Sequence, residues 1–164
     1  MYCKLKIIMK SLVVYYSRTG HTAKIAQELA NALECDIEEI IDTKKRSGIL
    51  GWLRSGRDAG NQSLTVLKEP VNDPANYDLL IIGTPIWAGH VSTPVRTYIH
   101  QNMASFNNVA FFCTAGGDKF SGAFDDMREL SGIAPVATLG VRAKEINKKT
   151  YTDKIQEFTK AIQM

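Results

Sequence analysis

Short apolar segments alternate along this chain with segments whose apolar residues recur at helical spacing. Most of the short segments are apolar on consecutive positions, which is typical of parallel strands covered on both faces. Residues 36–41 are more polar and are expected near an edge of the sheet. The five predicted strands are residues 11–16, 36–41, 79–84, 109–114 and 137–141.

Helices are predicted between these strands from apolar spacing and from end signals. The first begins at Thr22 and the last is capped by Thr150, each with an apolar stripe. Thr93 suits an N-cap, Pro94 the first helical position, and Gly132 the end of a helix. The stripes are Ala26, Leu29, Ala30 and Leu33 in the first helix, and Tyr151, Ile155, Phe158 and Ile162 in the last.

This alternation predicts an α/β fold with a doubly wound, five-stranded parallel sheet between two layers of helices, a three-layer sandwich. In the strand order 2-1-3-4-5, the first, third and fourth strands lie side by side. Ligands of such sheets bind beyond the carboxyl ends of the strands, where the strand order reverses. The segments after residues 16, 84 and 114 are therefore expected to converge on one crevice.

The composition fits one globular domain and excludes several classes of protein. Of the 164 residues, 45% are hydrophobic and 23% charged, and no apolar run approaches the roughly 20 residues of a membrane span. The formal charge of +3 is too modest for a dedicated nucleic-acid-binding protein. Residues 1–8 are interpreted as an N-terminal extension and residues 9–164 as a single domain.

The cysteines argue against a metal centre. Cys3, Cys35 and Cys113 are far apart and form no C-x-x-C pair, so a local zinc or iron–sulfur site is not expected. Unpaired thiols are typical of a reducing compartment, which predicts a cytoplasmic protein.

The first predicted strand ends in Ser-Arg-Thr-Gly-His-Thr, residues 17–22, and a helical pattern follows at once. The N–H groups at a helix start lack intrahelical partners, and the helix dipole adds partial positive charge there. Small residues let a phosphate approach closely, and three hydroxyls can donate to it. The segment predicts a phosphate site, and the alternative is a plain strand-to-helix turn capped by Thr22.

The segments after the third and fourth strands suit a planar ring. Trp87 offers a flat apolar surface for stacking, and Gly89 permits unusual backbone conformations. Residues 114–118 offer backbone donors and acceptors. A phosphate joined to a flat heterocycle describes a mononucleotide, of which FMN is the obvious example. The G-x-G-x-x-G pattern is absent after the first strand, which argues against a dinucleotide site there.

Three stretches carry a family resemblance: VVYYSRTGHTAKIA, GTPIWAGHVSTPV and FFCTAGGDK. They resemble the phosphate-binding segment (pattern S/T-x-T-G-x-T), the third-strand loop and the fourth-strand loop of the flavodoxin family. The resemblance covers nearly the whole chain from Met9, and the lack of a long insertion in the fifth strand is similar to the short-chain group. It implies the 2-1-3-4-5 sheet and non-covalently bound FMN as cofactor.

The resemblance also implies which residues surround FMN. Around the phosphate would lie Ser17, Arg18, Thr19, Gly20, His21 and Thr22. Along the flavin ring would lie Thr84, Pro85, Ile86, Trp87, Ala88 and Gly89. Along the other edge of the ring would lie Thr114, Ala115, Gly116 and Gly117.

Some residues depart from the family's pattern. His21 stands where asparagine or glutamine is common, and it either adds a cation near the phosphate or points to solvent. Phe120 stands near the position of a flavin-covering tyrosine and is a candidate second stacking face. His90 either approaches the flavin or lies at the rim. Classical flavodoxins are strongly acidic, whereas this chain is not, so a less negative potential for the fully reduced flavin is expected.

Residues 43–63 carry five basic residues and one acid, Asp58. Four glycines weaken a helix prediction, although Ile49, Leu50, Trp52 and Leu53 could form one face of a short helix. One interpretation is a solvated basic connection with a packed Trp52. The other is a docking surface for an acidic partner or a phosphate-rich cosubstrate.

The leading functional hypothesis is an FMN-binding electron-transfer protein that works as a monomer or homodimer with a redox partner. The flavin carries the electrons, so no catalytic side chain and no metal ligand is assigned. The alternative is an FMN-dependent NAD(P)H:quinone oxidoreductase or a related dehydrogenase. A third hypothesis is a regulatory module that has lost its flavin.

Overall fold

The computed structural model describes residues 9–164, and the extension proposed for residues 1–8 lies outside them. Five parallel strands form the order β2-β1-β3-β5-β6, and β4 pairs antiparallel with β3. The strands are β1 (Ser11–Tyr15), β2 (Asp36–Glu39), β3 (Leu79–Trp87), β4 (His90–Val91), β5 (Asn108–Ala115) and β6 (Thr138–Arg142). The helices are α1 (His21–Leu33), α2 (Gly48–Gly60), α3 (Thr93–Asn102), α4 (Ser121–Ser131), α5 (Ala143–Lys148) and α6 (Thr152–Gln163).

The predicted fold class and strand order are confirmed, because β5 and β6 are the predicted fourth and fifth strands. β2 is an edge strand, as its polarity indicated. Within residues 9–164, no helix combines the length and apolar composition needed to cross a membrane.

The sheet is buried on both faces because successive strand residues alternate between two cores. Leu12 and Val14 of β1 face the core covered by α3 and α4, whereas Val13 faces the core covered by α1 and α6. The predicted stripes of α1 and α6 face this second core, where Leu33 is only partly buried and packs at the margin. Burying each large apolar side chain contributes about 1.5–3 kcal/mol, which explains why these stripes determine how the helices pack.

Several predicted ends were wrong by one or two residues. Ser92, not Thr93, is the N-cap of α3, and Pro94 is therefore its second residue. Thr150 does not cap the last helix, because the additional short helix α5 ends just before it and α6 begins after Tyr151. Gly132 ends α4 in the left-handed conformation, as predicted.

The segment after the third strand is a hairpin rather than the expected loop. β3 continues to Trp87, turns through Ala88 and Gly89, and returns as β4, where Trp87 pairs with His90. Both turn residues have positive φ, 50° and 81°, as two-residue hairpin turns of the primed types require. The hairpin holds the Trp87 backbone in a ladder.

Within residues 43–63, α2 is a helix whose polarity is the reverse of the expectation. α2 buries Gly51, Ser55, Asp58 and Ala59, so its buried face is small and polar. The prediction of a packed Trp52 was wrong, because 61% of this residue is exposed. The helix lies so close to the preceding segment that a Cβ on Gly51 would be 2.3 Å from the Arg46 carbonyl carbon.

Candidate cofactor site

A cavity of about 160 Å³ lies at the carboxyl ends of β1, β3 and β5, where the strand order reverses. Among the described residues that line it, none is acidic. The lining consists of Arg18, Thr19, His21, Thr22, Trp52, Pro85, Ile86, Trp87, Thr114, Ala115, Gly116 and Ala143. The three predicted segments therefore do converge, and they form a crevice with cationic, hydroxyl and aromatic side chains.

The segment of residues 17–20 forms a tight turn before α1. Gly20 has a φ of 97°, and its N–H donates to Ser17 Oγ over 3.1 Å. Within the described chain, no side chain caps α1 and no acidic residue occupies its first turn. The alternative of a Thr22 cap is therefore wrong, and the first N–H groups and the positive end of the helix dipole remain available to an anion.

Thr22 instead connects the first and third segments of the site. Its Oγ1 lies 2.8 Å from Thr114 Oγ1, and both residues are buried. A buried hydroxyl pair of this kind contributes about 1 kcal/mol and is costly to break on one side. It holds the start of α1 against the end of β5.

Arg18 attaches the turn to the start of α2. Its Nε donates to the Arg46 carbonyl over 2.8 Å, and its Nη2 donates to the Gly48 carbonyl over 3.2 Å. The guanidinium therefore bridges two segments and places its positive charge at the cavity wall. Its position links the predicted phosphate segment to α2.

Arg46 is a buried ion-pair centre under the site. Its Nε lies 2.9 Å from Asp42 Oδ2 and its Nη1 lies 2.8 Å from Asp58 Oδ2. Burial opposes ionisation of Asp58, but the hydrogen bond and charge of Arg46 lower the pKa of that carboxyl below its usual value. Arg46 is therefore not one of the solvated cations expected in residues 43–63, and that prediction was wrong for this residue.

The Trp87 ring is held from two sides. The Arg46 guanidinium carbon lies 5.6 Å from the ring centroid, within the range of a cation–π contact. The Tyr16 ring meets Trp87 edge-on, with centroids 5.5 Å apart and planes at 88°. Burial, with the Asp42 carboxylate nearby, raises the pKa of Tyr16 to about 12, so it stays neutral at physiological pH. Trp87 is thus a positioned wall of the cavity.

Comparison with known proteins agrees with this geometry. The family profile described as "Flavodoxin" matches residues 10–162. The chain belongs to the flavodoxin family. A structure described as a putative flavoprotein from Bacteroides uniformis is 27% identical, covering 87% of this chain and 97% of that one, with a TM-score of 0.73.

Two further solved structures share the fold. A flavoprotein from Lactobacillus acidophilus, solved in complex with FMN, is 24% identical over 87% of this chain and 99% of that one, with a TM-score of 0.66. An NADH:FMN oxidoreductase in its apo form is 16% identical over 93% of this chain and 86% of that one, with a TM-score of 0.56.

Of the sixteen site residues predicted from the flavodoxin resemblance, ten line the 160 Å³ cavity and six do not. Those six are Ser17, Gly20, Thr84, Ala88, Gly89 and Gly117. Ser17 and Gly20 shape the first turn, and Ala88 and Gly89 form the hairpin turn. Thr84 is fully buried, and its hydroxyl donates to Pro85 O or Ser92 Oγ while accepting from Ser92 N–H. The first five of these residues shape the segments that form the cavity wall, and direct contact of any of the six with a cofactor stays a prediction.

The three departures from the family's pattern have distinct positions. His21 lines the cavity and its Nε2 lies 3.2 Å from Asn147 Oδ1. His90 Nδ1 lies 3.0 Å from Asp126 Oδ2, outside the residues that line the cavity. Phe120 packs on Gly140, where a Cβ would be 2.5 Å from its ring, and it is not among the residues that line the cavity.

Two cavity residues were not assigned to the site from the sequence: Trp52 and Ala143. Ala143 begins α5, a helix of six residues with too little periodicity to be predicted. Trp52 was noted as a large aromatic residue, but the pattern of residues 43–63 did not indicate which face of the helix would border the cavity.

Two other cavities help to define the site. One of about 450 Å³ lies beside β2 and is lined in part by Glu38, Glu39 and Glu69, whose carboxylates would repel a phosphate. Another, of about 500 Å³, lies between α2 and the β3–β4 hairpin. It shares Trp52, Ile86 and Trp87 with the 160 Å³ cavity of the candidate site. The candidate site therefore continues outward between two tryptophans.

Proposed function

We propose that this chain binds FMN non-covalently and works as an electron-transfer protein. The supporting observation is that the start of α1, which no side chain caps, and Trp87 border the same 160 Å³ cavity. Its described lining includes Arg18 and His21 but no acidic residue. An anionic phosphate suits the first part and a planar ring suits the second. The FMN complex of the Lactobacillus acidophilus relative supports the same choice of cofactor.

In this proposal the chain's own residues bind and orient the cofactor. The phosphate is held by the backbone N–H groups at the start of α1, the Thr19 hydroxyl, the Arg18 guanidinium and the His21 imidazole. Trp87 and Ile86 cover the ring, Trp52 borders it, and the segment of residues 114–117 lies along its edge. Bound FMN would supply the redox chemistry, and the protein would adjust its potential and exclude water.

The test is titration of the purified apoprotein with FMN, followed by flavin fluorescence and absorbance. Binding should quench the fluorescence, because the ring stacks on an aromatic side chain, and should give a saturable yellow complex. A chain that leaves FMN fluorescence unchanged at high protein concentration would support the flavin-free regulatory module instead.

A second candidate is an FMN-dependent NAD(P)H:quinone oxidoreductase. It is favoured by the 500 Å³ cavity between Trp52 and Trp87, which includes Arg57 and could accept a second ring beside FMN. Adding NADPH anaerobically to the FMN complex, and then a quinone, separates the two functions. Rapid bleaching and multiple turnovers indicate the enzyme, whereas no reduction by NADPH together with reduction by a carrier protein indicates electron transfer.

A further inference from the structure

The outward face of α2 carries four large apolar side chains. The exposed fractions are 79% for Ile49, 79% for Leu50, 61% for Trp52 and 54% for Leu53. Ile49 and Leu53 are four residues apart and form the ridge opposite the buried Gly51 and Ser55. We call these four side chains the α2 apolar patch. Exposed apolar side chains grouped on one helix, rather than scattered singly, mark interaction sites in soluble proteins.

The helix beneath the patch is firmly attached. Asp58 is tied to buried Arg46, and Ser55 Oγ donates to the Gly51 carbonyl over 2.7 Å. Gly51 lies directly on the Arg46 backbone. The exposure of the patch therefore follows from how α2 is anchored, because turning the apolar side chains inward would separate Asp58 from Arg46 and move Gly51 off the Arg46 backbone.

The exposed charge of residues 43–63 has one sign. The single acid of residues 43–63, Asp58, is buried in its ion pair with Arg46. The four exposed charges of this segment are all positive: Lys44, Lys45, Arg54 and Arg57. An apolar centre with a cationic rim is complementary to a partner with an apolar centre and an acidic rim.

The patch adjoins the candidate cofactor cavity. Trp52 belongs to the patch and also lines the cavity together with Trp87. A macromolecule seated on α2 would therefore lie beside the flavin. This continuity favours a redox protein over a lipid surface, because a bilayer itself neither donates nor accepts electrons.

We propose that the outward face of α2 docks an acidic one-electron carrier protein. The electron-transfer step rests on the proposed function, whereas the binding step does not. Two carrier molecules would each lose one electron to FMN, which would take up these two electrons and one proton from solvent to become the anionic reduced flavin. Small, weak, charge-guided interfaces are usual for such encounters.

Docking is tested without FMN by titrating the isotope-labelled apoprotein with an acidic plant-type [2Fe–2S] ferredoxin as the probe. The backbone amide signals of residues 48–57 should shift or broaden selectively, and binding should weaken as salt rises above about 50 mM. Changing Lys45→Glu together with Arg54→Glu should weaken binding about tenfold or more, and Leu50→Gln with Leu53→Gln by a few-fold.

The matched controls lie on other surfaces. Lys148→Glu with Lys160→Glu changes the same charge on α5 and α6, and Val136→Gln removes a half-exposed apolar side chain before β6. Neither control should change ferredoxin binding. Equal binding of basic cytochrome c, signal changes away from α2, or equal losses in the controls would overturn the proposal.

Two other occupants would also overturn it. Cosedimentation with anionic phosphatidylserine vesicles that depends on Leu50 and Leu53, without ferredoxin binding, would identify a membrane surface. Concentration-dependent dimerisation lost in the same variant would identify a second copy of the chain. Because FMN titration and ferredoxin titration are separate, loss of one result does not remove the other.

Discussion

At the scale of single residues, Arg46 connects more of the site than any residue assigned to it from the sequence. It pairs with Asp42 and Asp58, its carbonyl accepts from Arg18, and its guanidinium lies over Trp87. The spacing of Asp42 and Arg46 is visible in the sequence, but the pairing with Asp58 is not, because it depends on how α2 folds back. A charge count cannot distinguish a buried cation from a solvated one.

Replacing Arg46 by methionine should destabilise the protein strongly. Methionine keeps much of the side-chain volume but leaves Asp42 buried without its cationic partner and Asp58 with only the exposed Arg57, 3.4 Å away, which costs about 3–5 kcal/mol. Urea unfolding measures the loss. The control Arg54→Met, on the exposed side of α2, should change the free energy of unfolding by less than about 0.5 kcal/mol. Similar values for both variants would mean that the ion pairs contribute little.

Thr19→Ala should weaken FMN binding, because its hydroxyl lines the phosphate end of the cavity. Losing one hydrogen bond to a charged group costs about 1 kcal/mol or more, which is about fivefold or more in Kd. Fluorescence titration gives the Kd. Thr152→Ala at the exposed start of α6 is the matched control, and an unchanged Kd for Thr19→Ala would contradict the assignment of this turn to the phosphate.

At the scale of elements, two glycines of α2 should respond oppositely to the same substitution. Gly51→Ala would place a Cβ 2.3 Å from the Arg46 carbonyl carbon, a backbone atom that cannot yield cheaply. Gly56→Ala meets no atom within 4 Å and removes flexibility from a helix interior. We expect Gly51→Ala to destabilise by about 1–3 kcal/mol and Gly56→Ala to stabilise by about 0.5–1 kcal/mol. Thermal unfolding of both variants measures these changes, and a shared sign would contradict this packing of α2.

The short helix α5 depends on Glu145, which predicts a pH dependence. The Glu145 carboxylate accepts from the side chain and N–H of Arg142 and from Lys154 Nζ. Chiefly through Arg142, these bonds lower its pKa from 4.5 to about 2. Because the folded-state pKa is the lower one, the stabilisation is complete above about pH 4.5 and is lost as the pH falls towards about 2.

Glu145→Gln tests this window. At about pH 6 the variant should be less stable by about 1 kcal/mol, a value that allows for solvent screening of these partly exposed partners. The difference should shrink to near zero as the pH falls from about 4.5 to about 2. Urea unfolding at several pH values gives the difference, and one that stays constant with pH would show that ionisation of Glu145 does not stabilise the fold.

Helices and strands with a clear pattern of apolar residues were predictable, and those without such a pattern were not. The apolar stripe of α6 and the continuous runs of β3 and β5 gave their type and their buried faces. α5 escaped because six residues give too few turns for a period. The inverted polarity of α2 escaped because Gly51 and the Asp58–Arg46 pair, rather than apolar residues, attach it to the fold.

At the scale of the whole molecule, topology was more predictable than side-chain placement. Because crossovers between parallel strands are right-handed, alternating strands and helices are compatible with few sheet topologies. The strand order reverses between β1 and β3, and this brings the three site segments to one edge of the sheet. Which side chains enter the cavity depends on hairpins and ion pairs that no local pattern encodes. Thr84, for example, is the last residue of a predicted strand and was assigned to the cofactor site, but its side chain is fully buried and hydrogen-bonds to Ser92.

The overall charge of the molecule predicts the sign of a salt effect on bound FMN. The chain has a formal charge of +3, and the described lining of the cavity holds Arg18 and His21 but no carboxylate. This positive field should favour the anionic, fully reduced flavin, so its reduction potential should be less negative than in strongly acidic flavodoxins. Salt screens such a field over about 10 Å at 0.1 M.

Raising the salt concentration from about 50 to 500 mM should therefore lower the potential of the last electron, by roughly 20–40 mV if the screened field contributes below 1 kcal/mol. Spectroelectrochemical titration of the FMN complex measures this potential, and free FMN in the same buffers corrects for the effect of salt on the flavin itself. A negative field would give the opposite shift, because salt would then relieve repulsion of the reduced anion. A potential that rises with salt would thus show that the carboxylates elsewhere on the surface outweigh Arg18 and the basic rim of α2.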